Sequence, residues 1–287
     1  TDDYNGAVQE GFSHPQQTIR NGHRESTANA YLHPVSNRGN LQIMTDALVT
    51  GLQFDNDQVT GVLMKVENQL QFIGANREII LSSGAVNTPQ LLMLSGIGPQ
   101  NHLKYRGIKV RNHLPGVVQH LQDHISASVV YNRISESPFV EQMRADRLAL
   151  DLALAYFVGK GKAINFPNGH MGFIKLHPTS EVPDIQLIFG AGPMDAHPWF
   201  PGLRKIFPNT FNCRAVVLHP MSSGSIELAS CDPTHHPKIR QNFFSNPEDM
   251  KMLVEGLQIV RKIITRPEMN LHRGMEAFPG PDVTSEE

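Results

Sequence analysis

The segment SSGAVNTPQLLMLSGIGP, residues 82–99, constrains the fold of this chain more than any other stretch. It follows an apolar run at residues 77–83 that predicts a strand, and the continuous Ile-Ile-Leu core of that run is typical of a buried parallel strand. Gly84 and Ala85 come next, and their small side chains let a ligand approach the backbone. Strand, glycine turn and helix in this order predict a nucleotide-type turn of an α/β protein.

The second half of the segment predicts the helix. Thr88 is the expected N-cap and Pro89 the first helical residue, since proline is favoured at that position. The helix is expected to end near Leu94, where two glycines follow. Free N–H groups at such a helix start favour a phosphate, although a purely structural turn that needs glycine only for its dihedral angles remains an alternative.

Composition limits the class of protein. The chain has 287 residues and a net charge of −2, which is enough for one large or two ordinary domains and gives no reason to expect nucleic acid or an anionic membrane as partner. No apolar run approaches the roughly 18 residues of a membrane span. Cys213 and Cys231 have no disulfide-type spacing, so we expect free thiols and a cytoplasmic protein, with one disulfide left open.

Elsewhere the pattern alternates less regularly between strand and helix. An antiparallel meander is predicted at 47–55, 59–67 and 69–75, and a helix with a broad buried face at 144–158. Strands are predicted at 182–192 and 212–228, and a helix opens at Pro247 after the possible cap Asn246. This second half therefore suits an α+β arrangement.

Residues 84–99, GAVNTPQLLMLSGIGP, resemble the second signature of the glucose–methanol–choline (GMC) flavoenzymes, which is close to GAINSPQLLLLSGIGP. The differences at Val86, Thr88 and Met93 are conservative. Further segments resemble the same family in the same order, namely 24–49, 114–124, 182–193 and 218–250. They are most similar to its choline-dehydrogenase-like branch.

The resemblance implies a fold of α/β plus α+β class. Residues 1–130 would be the remainder of an FAD-binding, Rossmann-like domain. Residues 131–287 would form a substrate-binding domain built on an antiparallel sheet with helices. The GxGxxG motif of the family would lie upstream of this chain, and its catalytic histidine downstream, so we expect a central fragment with an incomplete FAD site and no catalytic residue.

The activity that the resemblance implies is FAD-dependent oxidation of an alcohol, choline-like or another primary alcohol, to an aldehyde by hydride transfer to flavin. Val49 would contact the adenine through its backbone, and Ser83, Gly84 and Ala85 would lie against the ADP half of FAD. A small-molecule alcohol is the expected partner, and the oligomeric state is left open. The alternative is a catalytically inactive remnant that acts at most as a partial nucleotide-binding module.

Three residues of the second half are weak candidates for substrate contact: Asp184, Gln186 and Phe189. A choline-like cation favours aromatic faces and a carboxylate, and the sequence does not show which side chains converge.

The segment 114–124 departs from the family pattern. Val118 stands in place of a glycine, and we expect strain there if the backbone needs a positive φ. His120 replaces an asparagine. Because His120 and His124 are four residues apart with Asp123 between them, a zinc hydrolase is a remote alternative, provided that the segment is helical. Otherwise we expect His124 to be a buried, hydrogen-bonded structural residue.

Overall fold

The computed structural model describes residues 1–165 and 169–283. The strands are β1 Gly11–Ser13, β2 Ile19–Arg20, β3 His23–Arg24, β4 Leu48–Asp55, β5 Gln58–Val66, β6 Gln69–Gly74, β7 Ile97–Gly98, β8 Asn112–His113, β9 Gln119–Leu121, β10 Ile125–Arg133, β11 Gly169–Ile174, β12 Ile185–Gly190, β13 Thr210–Val217, β14 Gly224–Glu227, β15 Lys238–Arg240 and β16 Arg273–Phe278. The α-helices are α1 Gly84–Leu94, α2 Gln100–Tyr105, α3 Pro138–Gln142, α4 Ala145–Val158 and α5 Pro247–Ile264. The mixed α/β class with antiparallel sheets is confirmed.

The chain divides into two compact units, each discontinuous in sequence. The first unit comprises Thr1–Arg38, His124–Pro220 and Pro247–Glu287, and the second comprises Gly39–Asp123 and Met221–Asn246. The assignment of residues 1–130 to an FAD-binding domain and of 131–287 to a substrate domain stays a prediction.

The first unit is built on a six-stranded antiparallel sheet in the order β1-β11-β12-β13-β10-β16. Successive side chains along a strand point to opposite faces, and in this sheet one face is covered by α5. The buried side chains of that face belong to one cluster, which includes Ile125, Val129, Tyr131, Ile185, Leu187, Cys213, Ala215 and Val217.

Helix α5 confirms the helix predicted from Pro247. Its buried positions fall at helical spacing, as expected for a helix with one apolar stripe; they are Asp249, Leu253, Gly256, Val260 and Ile264. Gly256 lies close to the sheet, because a Cβ added there would lie 3.1 Å from the Cβ of Ala215 and 3.3 Å from Cδ1 of Ile185. The small residues therefore allow the helix backbone to approach the sheet.

A charged pair ties α5 to the edge strand β16. The Arg261 guanidinium donates to both carboxylate oxygens of Glu276, at 2.6 and 3.0 Å, and the Tyr131 hydroxyl donates to Oε2 at 3.0 Å. Burial opposes ionisation of Glu276, but hydrogen bonds from Arg261 and Tyr131 outweigh it and lower the Glu276 pKa. Burial and the bond to Glu276 raise the pKa of Tyr131 to about 12.

The second unit contains the predicted meander as the sheet β4-β5-β6, which is confirmed. The turn between β5 and β6 consists of Glu67 and Asn68, both with positive φ, as a two-residue hairpin with the twist of its strands requires. Two smaller sheets complete the unit: β15-β14-β9, and the parallel pair β7-β8.

The strand predicted at residues 77–83 is wrong. The residues of this segment that precede α1 are in no strand, and the Ile80 side chain is 76% exposed. A strand exists only where its backbone groups pair with a neighbour, and in the described part of the chain no strand pairs with this segment. The apolar pattern indicated a buried strand but carried no information about a pairing partner.

The helix predicted at 144–158 is confirmed as α4, but its broad buried face is wrong. Ala155 is buried, whereas Leu150, Leu152 and Leu154 are exposed. Apolar residues occur on several faces of α4, and the described part of the chain packs against only some of those faces. None of the described helices is long and apolar enough to cross a membrane.

Both cysteines are free thiols, so no disulfide joins them. Cys213 lies inside the core of the first unit, and burial raises its pKa to about 12. Cys231 is exposed.

The charged pair gives a prediction about acid stability. Glu276→Gln should lower the free energy of unfolding by about 2 kcal/mol near neutral pH, because Arg261 loses its carboxylate. The folded-state pKa of Glu276 lies below its ordinary value of 4.5. The contribution is therefore fully present above that value and is lost as the pH falls through the folded pKa.

Urea titrations of the wild type and the variant at about pH 7 and about pH 3 measure this difference. The exposed Glu268, changed to Gln, is the matched control and should shift the unfolding free energy by less than about 0.5 kcal/mol. A gap between wild type and Glu276→Gln that stays the same at acid pH contradicts the role of the ionised carboxylate.

Candidate functional site

Helix α1 begins five residues earlier than predicted, at Gly84 instead of Pro89. Gly84 has φ +82°, a conformation that side-chain-bearing residues rarely adopt, and space is open within 4 Å of the position where a Cβ would stand. Thr88 does not cap the helix as an N-cap residue. Its hydroxyl instead accepts a hydrogen bond from the Ser83 backbone N–H at 3.1 Å, which closes the turn from inside the helix.

Pro89 consequently lies inside the helix and not at its first position. It has no N–H, so it cannot bond to the carbonyl four residues earlier, which is that of Ala85. The helix end is confirmed. The Ser95 N–H bonds to the last carbonyls, and Gly96 follows with φ +88°, as expected for a glycine that ends a helix.

Strand β4 is the edge of its sheet, and α1 is anchored to it. The Leu52 N–H donates to Ser95 Oγ at 2.9 Å, and that hydroxyl donates to the Leu91 carbonyl at 2.7 Å. Val49 pairs with Met64 of β5, and a register shift follows it along the strand. Because no described strand pairs with the outer side of β4, part of its backbone is available to other partners.

A cavity of about 490 Å³ lies between β4 and α1 in the second unit. On the helix side it is lined at positions 83, 87, 90, 91 and 94, which fall on one face of a helix. The full lining comprises Ala47, Leu48, Val49, Ser83, Asn87, Gln90, Leu91, Leu94, Pro233, Thr234, His235 and His236. The structure thus brings Val49 and Ser83 to one cavity, although they are far apart in sequence.

Sequence analysis missed the third wall of this cavity, the turn at residues 233–236. The largely buried side chain of Gln90 donates from Nε2 to the His235 carbonyl at 2.9 Å, and this bond holds the turn against the helix. The His235 ring is 2.8 Å from Ser230 Oγ. A glutamine among the apolar residues of a short helix was the one available signal, because a buried amide needs a partner.

The turn at residues 233–236 is held in place by hydrogen bonds between Thr234 and Asp232. Thr234 donates from its backbone N and from Oγ1 to Asp232 Oδ1, at 2.8 and 2.7 Å. The backbone bond and then the hydroxyl bond favour the ionised carboxylate and lower the pKa of Asp232. The Asp232 carboxylate is therefore ionised at neutral pH and accepts both hydrogen bonds from Thr234.

Ala85 lies at a different, smaller cavity of about 250 Å³, together with Pro89, Val118 and Ile226 among others. Of the four residues predicted to contact FAD, Val49 and Ser83 therefore share the larger cavity. Gly84 forms the turn before α1, and Ala85 lines the second cavity. Their contact with FAD stays a prediction.

The strain predicted at Val118 is wrong. Val118 has φ −95° and is buried, with 8% exposure, in the second hydrophobic cluster beside Met93 and Leu103. The positive φ falls at His120, at +68°. Asn and His are enriched in the left-handed region relative to other side chains, which explains why an asparagine or a histidine suits this position.

The segment around His120 is not helical, since Gln119–Leu121 is strand β9. The spacing of His120 and His124 therefore does not place both rings on one helix face, and the geometric basis of the zinc alternative is wrong. Within the described residues no group of three or more His, Cys, Asp or Glu side chains is placed to hold a metal ion. His124 is exposed and not buried as expected.

The three candidate substrate residues do not converge. Asp184 precedes β12, and its carboxylate accepts a hydrogen bond from the Leu176 N–H at 2.8 Å. Gln186 points to the sheet face opposite α5, with Nε2 3.7 Å from the sulfur of Met171. Phe189 is three positions further along β12 and so points to the other face. Their contact with a substrate stays a prediction.

Comparison with known proteins places these features in context. The N-terminal and C-terminal models of the GMC oxidoreductase family match residues 1–126 and 220–287. The oxygen-dependent choline dehydrogenase of Staphylococcus aureus (strain JH9) is 34% identical over 290 residues, which is 100% of this chain and 50% of that protein. The chain thus spans about half the length of the curated relatives it matches.

Solved structures share the fold. Pyridoxine 4-oxidase from Mesorbium loti is 23% identical with a TM-score of 0.79, and the match covers 97% of this chain and 51% of that one. A fungal aryl-alcohol oxidase is 22% identical with a TM-score of 0.80, and the match covers 96% and 54%.

The backbone at residues 118 and 120 gives a paired prediction. Val118→Gly, which restores the residue of the family pattern, should lower the free energy of unfolding by about 2 kcal/mol, because it removes a buried side chain from a site that needs no positive φ. His120→Val should lower it by about 1–2 kcal/mol, because a β-branched residue is strained in the left-handed region.

Gln119→Val, at the exposed neighbouring position, is the matched control and should change stability by less than about 0.5 kcal/mol. Urea unfolding measures all three variants. An increase in stability for Val118→Gly, or an equal loss for Gln119→Val and His120→Val, contradicts this account of the segment.

Proposed function

The chain belongs to the GMC oxidoreductase family, and from that premise we propose that it is part of an FAD-dependent enzyme that oxidises an alcohol to an aldehyde. Within such an enzyme, the cavity between β4 and α1 would hold the adenine and ribose end of FAD. The observation that carries the proposal is the meeting of Val49 and Ser83 at this cavity.

The size and lining of the cavity suit a nucleoside. Its volume of about 490 Å³ lies within the range of small-molecule sites. Val49 belongs to an edge strand, whose backbone N–H and C=O groups recognise an adenine edge without a special side chain. Asn87 adds an amide that both donates and accepts.

The turn before α1 suits the phosphates of the same cofactor. Gly84 has no side chain, its φ of +82° favours glycine, and the space beside it is open. The backbone N–H groups at the start of α1 and the helix dipole favour an anion there. The residues present therefore fit the ADP half of FAD, with Val49 and Asn87 at the adenine end and Ser83 and Gly84 toward the pyrophosphate.

FAD supplies the hydride acceptor for alcohol oxidation when it is bound. The described residues of this chain would bind and orient its adenine end. The rigid turn that Thr234 and Asp232 form would close one side of that site against water.

A choline-like or another primary alcohol is the proposed substrate, supported by the name of the 34% identical relative. Gln186 is the first candidate contact, because it lies on the sheet face away from α5. The Asp184 carboxylate already accepts a hydrogen bond from the Leu176 N–H, and Phe189 lies on the sheet face opposite to that of Gln186. We therefore propose a smaller role in substrate contact for both.

Two further proposals concern a second function and the location of the protein. A catalytically inactive form that binds only the adenine end of the nucleotide is the second candidate function, favoured by the fact that every residue of the cavity lies in the second unit. A cytoplasmic location is supported by two free thiols, since disulfides are rare in that compartment.

Nucleotide titrations test the site in the chain as it exists. ADP should bind, and FMN, which lacks the adenine, should bind at least ten times more weakly. Asn87→Phe should weaken ADP binding at least tenfold, because the ring fills the cavity from an exposed helix position. These affinities are measured by isothermal titration calorimetry.

Asn101→Phe is the matched control, because Asn101 is an exposed asparagine of α2 outside the cavity lining. Equal binding of ADP to Asn87→Phe and to the wild type would place the nucleotide elsewhere. Tight binding of FMN would contradict recognition through adenine. If the purified chain carries one yellow FAD per molecule, and an alcohol bleaches that FAD, the inactive form is excluded.

A further inference from the structure

The first unit contains a cavity of about 700 Å³, and of the residues that line it only Phe189 has a role in the proposed function. It lies at the end of the sheet where β10, β11 and β12 meet α3. Its described lining contains no aspartate or glutamate; it comprises His14, Arg133, Pro138, Phe139, Gln142, Gly169, His170, Phe189, Gly190 and Ala191.

Strand register explains how these side chains share one cavity. His170 of β11 lies directly opposite Phe189 of β12, so both side chains stand on the same face of the sheet. Arg133 ends β10 two residues after the buried Tyr131 and therefore points to that face as well.

Arg133 brings a positive charge with no acidic partner among the described residues. Its Nε donates to Ser135 Oγ at 3.1 Å, and its backbone N–H donates to the Asn209 carbonyl at 2.8 Å, so the side chain and its strand are held in place. Across the strand pair, Arg133 lies opposite Arg273. Like charges directly opposite each other are destabilising, and a bound anion relieves this repulsion.

Gln142 supplies a second donor. Its Nε2 is buried and has no hydrogen-bond partner within the described part of the chain. A buried amide without a partner is costly, and it marks a place where a missing acceptor belongs.

His14 and His170 supply two further donors. Their ring centroids are 4.2 Å apart, and the two ring planes are tilted by 43°. Each imidazole carries at least one ring N–H. Together with Arg133 and Gln142, the polar groups of this cavity are rich in donors and include no carboxylate, which disfavours a cation such as choline.

The remaining side walls are aromatic. Phe139 comes from α3 and Phe189 from β12, and both are partly buried. A ligand with a flat apolar body packs well against such rings.

We propose that this cavity binds a small aromatic carboxylate. Its carboxylate would accept hydrogen bonds from the Arg133 guanidinium and from Gln142 Nε2, and its ring would pack against Phe139 and Phe189. An arginine binds a carboxylate through two parallel, charge-assisted hydrogen bonds.

Benzoate is the probe that tests the proposal, with its binding to this chain measured by isothermal titration calorimetry. Benzoate should bind the wild type. Benzyl alcohol, with the same ring and no charge, and inorganic phosphate, with charge and no ring, should each bind at least tenfold more weakly. Equal affinity for benzyl alcohol would overturn the carboxylate, and equal affinity for phosphate would overturn the aromatic body.

Two variants locate the site. Arg133→Gln should weaken benzoate binding at least tenfold, and Gln142→Leu about fivefold. Arg266→Gln is the matched control, since Arg266 is an exposed arginine of the same unit outside the cavity lining. An equal loss for Arg266→Gln and Arg133→Gln would reduce the effect to net charge and overturn the proposal.

A second measurement needs no variant and stands even if Arg133→Gln fails to fold. In carbon–proton correlation spectra of the wild type, benzoate should shift the ring resonances of His14 and His170 and leave those of the exposed His236 in place. Unchanged spectra for His14 and His170 at saturating benzoate, or no benzoate binding at all, would overturn the proposal.

Discussion

The close contact between α5 and the six-stranded sheet sets the geometry of the first unit. Gly256 and Ala215 leave so little space that a single added carbon would lie 3.1 Å from its neighbour. The helix backbone therefore lies close to the sheet, and its buried stripe fixes which sheet face is interior. The Arg261–Glu276 pair then holds the end of α5 to β16, at the other end of the strand order from β1.

Once that face is interior, strand alternation assigns every other side chain of the sheet. Gln186 points away from α5, whereas Phe189 and His170 stand on the α5 face. The same rule carries Arg133 to the cavity beside them. Candidates that are close in sequence, Gln186 and Phe189, are thus divided between the two faces of the sheet, and Phe189 lies in the cavity lined with hydrogen-bond donors and aromatic rings.

The second unit depends on a smaller contact, the Ser95 hydroxyl between the Leu52 N–H and the Leu91 carbonyl. It fastens the end of α1 to the edge strand β4. The start of the helix is fixed instead by Gly84 and by the bond from Ser83 to Thr88. Because both ends are fixed, the gap between helix and strand persists as a cavity, and the Gln90 bond brings the turn at 233–236 to its third side.

The sequence by itself determined the local elements and the family. The meander, α4, α5 and the end of α1 follow from side-chain periodicity and glycine positions, which act over a few residues. Tertiary structure decided what no short window records: that residues 77–83 lack a strand partner, that Leu152 is exposed, and that the positive φ belongs to His120 and not to Val118. It also decided that Val49 and Ser83 share a cavity, because such a meeting depends on pairing and packing between distant segments, and these are absent from the local pattern.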